Sequence, residues 1–204
     1  MDIKMKKLIR IIIEGICIIS LVFVYAHIAK THNIYDSDID PSQYGSVVEK
    51  DTVWVEQYFK TKEDTLDGIR VKGVENGDIS KVNIEYILKE VDTGEKVAGG
   101  KVNAKKALKS RFYELPFEKI ENCKNKQYVV ALRETATDNE SSVYFSFEKQ
   151  VEAGTKFVVN NDNIDGTLIM KTITNRFDIE TFFVVMIFVL YIIFFLKILY
   201  RLFE

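Results

Sequence analysis

The sequence predicts a mainly β protein: an antiparallel, jelly-roll-like β-sandwich flanked by two transmembrane α-helices. Three observations carry that expectation. Apolar residues crowd into two runs near the ends of the 204-residue chain. Between the runs, apolar and polar residues alternate with a period of two, the pattern of half-buried strands. Clusters of Gly, Asn, Asp and Ser punctuate the alternation at short intervals, as turns do.

The first run, 8–28, reads LIRIIIEGICIISLVFVYAHI. A bilayer core of ~30 Å takes about 20 mostly apolar helical residues. Arg10 and Glu14 are the only full charges inside it, spaced to pair on one helix face. An intramembrane carboxylate such as Glu14 is costly and often functional, so a contact with a polar group of a partner membrane protein is the other reading. Lys4, Lys6 and Lys7 precede the run, with Arg10 near its start, against Asp2 alone, which places residues 1–7 in the cytoplasm. The rival reading is a signal peptide cleaved after Ala26. A retained span is expected, because the run is long for a signal and a second span exists.

The second run, 182–200, is FFVVMIFVLYIIFFLKILY. Phe182–Leu196 alone is short, and Lys197 must snorkel for the span to be comfortable. The run is apolar on every face, unlike a surface helix of a soluble protein. Asp178 and Glu180 flank its start and Lys197 and Arg201 its end, so residues 201–204 are also expected in the cytoplasm. Residues ~30–177 then lie outside the cytoplasm, at a plasma membrane.

The middle carries a net charge of −3, with no block of one sign. No nucleic-acid partner is expected. Residues 29–46 and 175–181 read as linkers and 47–174 as the sandwich. Alternation marks strands around Val53–Phe59, Ile69–Val71, Val82–Leu88, Tyr128–Leu132, Val143–Phe147 and Leu168–Met170. Weaker strands cover ~95–103 and ~111–118, about eight or nine in all. The piece Asn103–Arg111 is helix-like but is read as a loop.

Several segments recur in order: Gln57-Tyr58-Phe59, Leu66-Asp67-Gly68-Ile69-Arg70-Val71, Ile84–Leu88, Leu115–Ile120, Lys126–Leu132 and Asn160–Leu168. In these the chain resembles the extracytoplasmic, carbohydrate-binding-like β-sandwich domains attached to membrane glycosyltransferases and cell-wall polysaccharide machinery of Gram-positive bacteria. The resemblance covers ~47–172. It implies an accessory domain that binds glycan, or docks onto a multi-pass glycosyltransferase or polysaccharide exporter. The alternative is a structural or regulatory assembly protein that contacts only protein. Two spans, with no membrane-embedded loop of catalytic carboxylates, depart from the enzymes of that family.

Trp54, the only Trp, shares a strand face with Tyr58, and Glu56 lies between them. Aromatic rings beside a carboxylate suit sugar recognition, since C–H faces stack and hydroxyls bond to the acid. Packing of both rings in the core is the competing reading. No cofactor and no metal centre are expected. Asp36, Asp38 and Asp40 have the i, i+2, i+4 spacing of a Ca²⁺ loop but lack its Gly and closing Glu. Asn160–Gly166 is explained by a tight turn, with calcium the alternative. Cys123 reads as a buried or turn thiol, with no base beside it. No P-loop, Rossmann fingerprint, G-x-S-x-G or H-E-x-x-H occurs. No enzyme is expected, a two-carboxylate glycosidase or a transferase ranking last.

Overall fold

The computed structural model describes residues 3–48 and 53–203. Asp2 and Glu204, used above to orient the termini, and residues 49–52 of the expected sandwich lie outside the described residues. The chain is mainly antiparallel β-sheet with two long apolar helices near its ends. It divides into two units, one of residues 1–29 with 175–204 and one of residues 30–174.

In the first unit, α1 is Ile3–Tyr25 and α3 is Ile179–Phe203. Leu8–Tyr25 and the whole of α3 are long and apolar enough to cross a membrane. No described side chain of α3 is buried, although the helix is almost wholly Ile, Val, Leu, Phe and Tyr. Asp178 caps α3: its Oδ1 accepts from the backbone N–H groups of Glu180 (3.0 Å) and Thr181 (3.1 Å). Arg10 Nε donates to Glu14 Oε1 at 2.8 Å. Lys197 lies within α3, one turn before Arg201. The helix expected over 8–28 ends earlier than the apolar pattern, at Tyr25, because His27 opens a strand.

The strands are β1 (His27–Asn33), β2 (Gly45–Ser46), β3 (Val55–Lys60), β4 (Leu66–Val71) and β5 (Gly73–Asn76). They continue with β6 (Val82–Glu90), β7 (Lys96–Asn103), β8 (Leu108–Lys109), β9 (Phe112–Ile120) and β10 (Gln127–Ala136). The last are β11 (Ser142–Glu148), β12 (Lys156–Val159), β13 (Asp162–Ile164), β14 (Thr167–Leu168) and β15 (Met170–Phe177). One sheet has the order β1-β15-β4-β9-β8, a second β13-β12-β3-β10-β6-β7, and a third β14-β11-β2, with β5 also paired to β11. There are more strands than the alternation indicates. The segments expected as linkers, 29–46 and 175–181, contain β1, β2 and the end of β15. The expected loop at Asn103–Arg111 holds a one-turn helix, α2 (Ala104–Ala107), because Ala104 and Ala107 both bury against the core while Lys105 and Lys106 stay in solvent.

Phe59, Leu66, Ile69, Ile84, Leu88, Leu115, Leu132 and Phe145 belong to one apolar cluster drawn from all three sheets. Leu168, Ile169 and Met170 are all buried, so the alternation expected around Leu168–Met170 is broken where the chain passes from β14 to β15. Turns follow the sequence closely. Asn160 and Asn161, at φ +51° and +73°, close the β12–β13 hairpin, since Asn tolerates the left-handed region. Gly77 sits at φ +66°, where a Cβ would meet the Glu140 carbonyl oxygen at 2.7 Å.

Two polar groups enter the core. The Gln57 amide is fully satisfied: Nε2 donates to the carbonyls of Tyr58 (2.8 Å) and Lys156 (3.2 Å), and Oε1 accepts from Leu168 N (2.7 Å). Glu148 is 1% exposed. Its Oε1 accepts from Asp36 N at 3.1 Å, while Oε2 has no partner among the described residues. Burial pushes its pKa up to about 7, against the opposing Asp36 N–H and helped by the charges of Glu152 and Asp36.

Candidate functional site: a polar and aromatic sheet face

Alternation along β3 sorts its side chains. Val55, Gln57 and Phe59 are buried, whereas Glu56 and Tyr58 stand half-buried on the other face. Trp54, just before the strand, is half-buried on that same face. The structure therefore places Trp54, Glu56 and Tyr58 together, away from the apolar cluster. Tyr58 OH lies 3.4 Å from Glu56 Oε2. Burial, then the charge and hydrogen bond of Glu56, raises the Tyr58 pKa.

Neighbouring strands add residues that one strand alone does not reveal. β10 pairs with β3 so that Val129 opposes Tyr58, Ala131 opposes Glu56 and Leu132 opposes Val55. One residue further, the Arg133 guanidinium lies over the Trp54 ring, 4.8 Å from its centre. On the other side of β3, Lys156 Nζ lies 5.4 Å from the Tyr58 ring centre. Across β10 the register sets Arg133 opposite Glu85, and β7 sets Lys101 opposite Glu85. Arg133 Nη2 and Lys101 Nζ both donate to the Glu85 carboxylate, Lys101 at 2.9 Å. These bonds, Lys101 first and Arg133 next, hold the Glu85 pKa below the usual carboxylate range.

The result is a row from Trp54, just before β3, through Arg133 and Glu85 to Lys101 on β10, β6 and β7. Beside it lies an open depression of about 230 Å³ lined by Glu56, Tyr58, Ile87, Lys89, Val129 and Ala131. Arg133 Nε is buried and has no hydrogen-bond partner among the described residues. Such a face offers a flat ring and carboxylates to one ligand. The alternation of Val129, Ala131 and Arg133 was visible in the sequence; their placement beside Trp54 depends on strand register and was not.

The other singled-out residues lie elsewhere. Asp36 Oδ1 accepts from Asp38 N (2.9 Å) and Asp40 Oδ1 from Ser42 N (2.8 Å), so both carboxylates stabilise local turns. Cys123 is fully buried, its Sγ donates to the Ile120 carbonyl at 3.3 Å, and burial raises its thiol pKa. Arg10, Glu14 and Lys197 lie on the terminal helices, in the other unit.

No family model matches the chain, and no curated protein matches it. Solved structures of a clostridial protein are distantly similar. The clostridial cysteine protease Cwp84 after propeptide cleavage aligns with a TM-score of 0.42 and 14% identity, over 72% of this chain and 40% of that one. The cysteine protease and lectin-like domains of Cwp84, a surface-layer-associated protein of Clostridium difficile, align with a TM-score of 0.37 and 14% identity, over 67% of this chain and 37% of theirs. This chain thus spans 40% or less of the solved chains it matches. The expectation that the chain is no enzyme is corrected here, because the matched chains belong to a cysteine protease. The likeness is one of distant fold and is no sign of catalysis in this chain.

Proposed function

We propose that this is an accessory protein of the cell membrane whose sheets form a closed β-sandwich outside the cytoplasm, held between two spans with both termini inside. The sandwich binds glycan on the face carrying Trp54, Glu56 and Tyr58, and so positions a polysaccharide for a membrane glycosyltransferase or exporter. The observation that carries this reading is the Trp54 ring beside Arg133, whose buried Nε lacks a partner. A sugar supplies what that face can take: an apolar C–H surface for the ring and hydroxyls for the carboxylates. The sandwich reading is supported by the single apolar cluster that the sheets share. The membrane reading is supported by the uncovered apolar surface of α3 and by the basic residues Lys197 and Arg201 near its end.

A protein-contact role is the second reading. It is favoured by an open apolar hollow of about 420 Å³ lined by Val47, Val48, Phe147, Phe157, Val159 and Ile164.

Because Trp54 is the only Trp, its fluorescence reports the site directly. The full chain in uncharged detergent is titrated with purified wall polysaccharide. A saturable emission change, lost in Arg133→Met, is expected. A Trp54 signal that stays constant up to millimolar sugar equivalents moves the assignment to the protein-contact reading.

A further inference from the structure

A second polar cluster lies on and beside the sheet β1-β15-β4-β9-β8. Lys72 follows β4, and its Nζ lies 4.7 Å from the Tyr44 ring centre. Tyr44 meets Tyr35 edge-on at 6.3 Å. Lys171 of β15 lies 5.9 Å from the Tyr35 ring centre and 4.7 Å from that of Phe112. Phe112 is preceded by Arg111, and the Arg111 charge acts back on Lys72, whose pKa is lowered by burial and then by Arg111. Lys72 and Lys171 thus lie over three aromatic rings, two of which meet edge-on, and Arg111 adjoins the third in the chain.

Among the described residues, Lys72, Lys171 and Arg111 make no ion pair. Glu114, on the same sheet, is taken by Arg70, which donates to it from Nε (3.0 Å) and Nη2 (2.7 Å). The carboxylates whose charges reach Tyr44 are Glu148, Asp36 and Asp40. Each of them accepts from a backbone N–H, and none forms an ion pair with Lys72, Lys171 or Arg111. The backbone adds a second oddity. Ser110 and Arg111 close the β8–β9 hairpin at φ +48° and +75°, a region that a bulky arginine rarely occupies.

We propose that Lys72, Lys171 and Arg111, with Tyr35, Tyr44 and Phe112, bind a phosphate-bearing polymer. Three like charges held together repel one another, and a single carboxylate would offset only one. A phosphate monoester carries about −1.5 to −2 charge, and successive phosphodiesters carry one each, so phosphate chemistry matches the charge count. The three rings give apolar surface to the carbon chain between phosphates. This site is separate from the Trp54 face.

The test is calorimetric titration of the full chain in uncharged detergent with synthetic poly(glycerol phosphate), and with polygalacturonate as a carboxylate polymer of similar charge. Saturable binding of the phosphate polymer is expected, weakening as salt rises. Arg111→Gly removes the cation and relieves the backbone, so it should melt no lower than the parent while binding about tenfold more weakly. Lys72→Met and Lys171→Met should weaken binding likewise, whereas Lys105→Met, at an exposed position of α2, should leave it unchanged. No heat with poly(glycerol phosphate), equal binding by Arg111→Gly and parent, or equal binding of polygalacturonate each overturns the proposal.

Discussion

Glu148→Gln should abolish a pH dependence of stability that Glu148 imposes on the fold. The residue is 1% exposed, and one carboxylate oxygen has no partner among the described residues. Its pKa rises from the ordinary 4.5 to about 7, chiefly through burial. A raised pKa means that the folded state holds the proton more tightly than the unfolded one. The stabilisation is complete below about pH 4.5 and is lost as pH rises through about 7. At ~1.4 kcal/mol for each pH unit of separation, the loss amounts to about 3 kcal/mol. The amide of Gln keeps an acceptor for Asp36 N and never ionises. Glu85, Asp78 and Asp138 are all held low by their partners, so their contributions fade only as pH falls below the ordinary carboxylate range. Of these four carboxylates, Glu148 alone is placed to titrate between pH 5 and 8. Urea unfolding of the full chain in detergent, followed by Trp54 emission, should show the parent weakening over that interval. The variant should stay level and end about 2–3 kcal/mol more stable than the parent at pH 8. Parallel pH curves for the two proteins would refute the reasoning.

Other outcomes are equally definite. Phe59→Ala, which empties a fully buried position of the apolar cluster, should cost about 3–5 kcal/mol in the same assay. Trp54→Ala, which leaves the chain without tryptophan and is followed by circular dichroism, should cost only about 1 kcal/mol, mainly the Arg133 contact, while removing glycan binding in a pull-down on wall polysaccharide; a loss as large as that of Phe59→Ala would return Trp54 to the core. Asn139→Cys, made in a Cys17→Ser background, should react with a membrane-impermeant maleimide in intact cells. Protection of that exposed position, or labelling of Asp2→Cys or Glu204→Cys, would defeat the proposed orientation.

The legible parts of this fold are those in which a residue's neighbours along the chain decide its conformation. The charge-free run after Glu180 dictated α3 by composition alone. Strict alternation marked Val82–Glu90 and Gln127–Ala136, the two long central strands, and the Asn160-Asn161 pair marked a hairpin turn. What escaped were elements created by partners. His27–Asn33, HIAKTHN, has no apolar alternation, and it is a strand because β15 pairs with it. Ala104–Ala107 coils because two alanines find the core on the same side. The face of Trp54, Glu56 and Tyr58 follows from period-two counting, yet Arg133, Glu85 and Lys101 reach it only through register. The cluster of Lys72, Lys171 and Arg111 gathers positions up to 99 residues apart, beyond any local pattern.

The strand order has a consequence for how the protein is made. β15, the last strand of the chain, lies between β1, the first, and β4. A ribosome adding roughly 5–20 residues per second delivers Met170 several seconds or more after Asn33. During that delay β1 has no neighbour to join, and the flank of β4 that β15 will occupy stands open. Completion of this sheet therefore waits for nearly the whole chain, and the nascent protein must be shielded from pairing with other chains through that exposed flank. Any truncation before Met170 would make the transient gap permanent, and aggregation during synthesis is the expected fate of such a fragment.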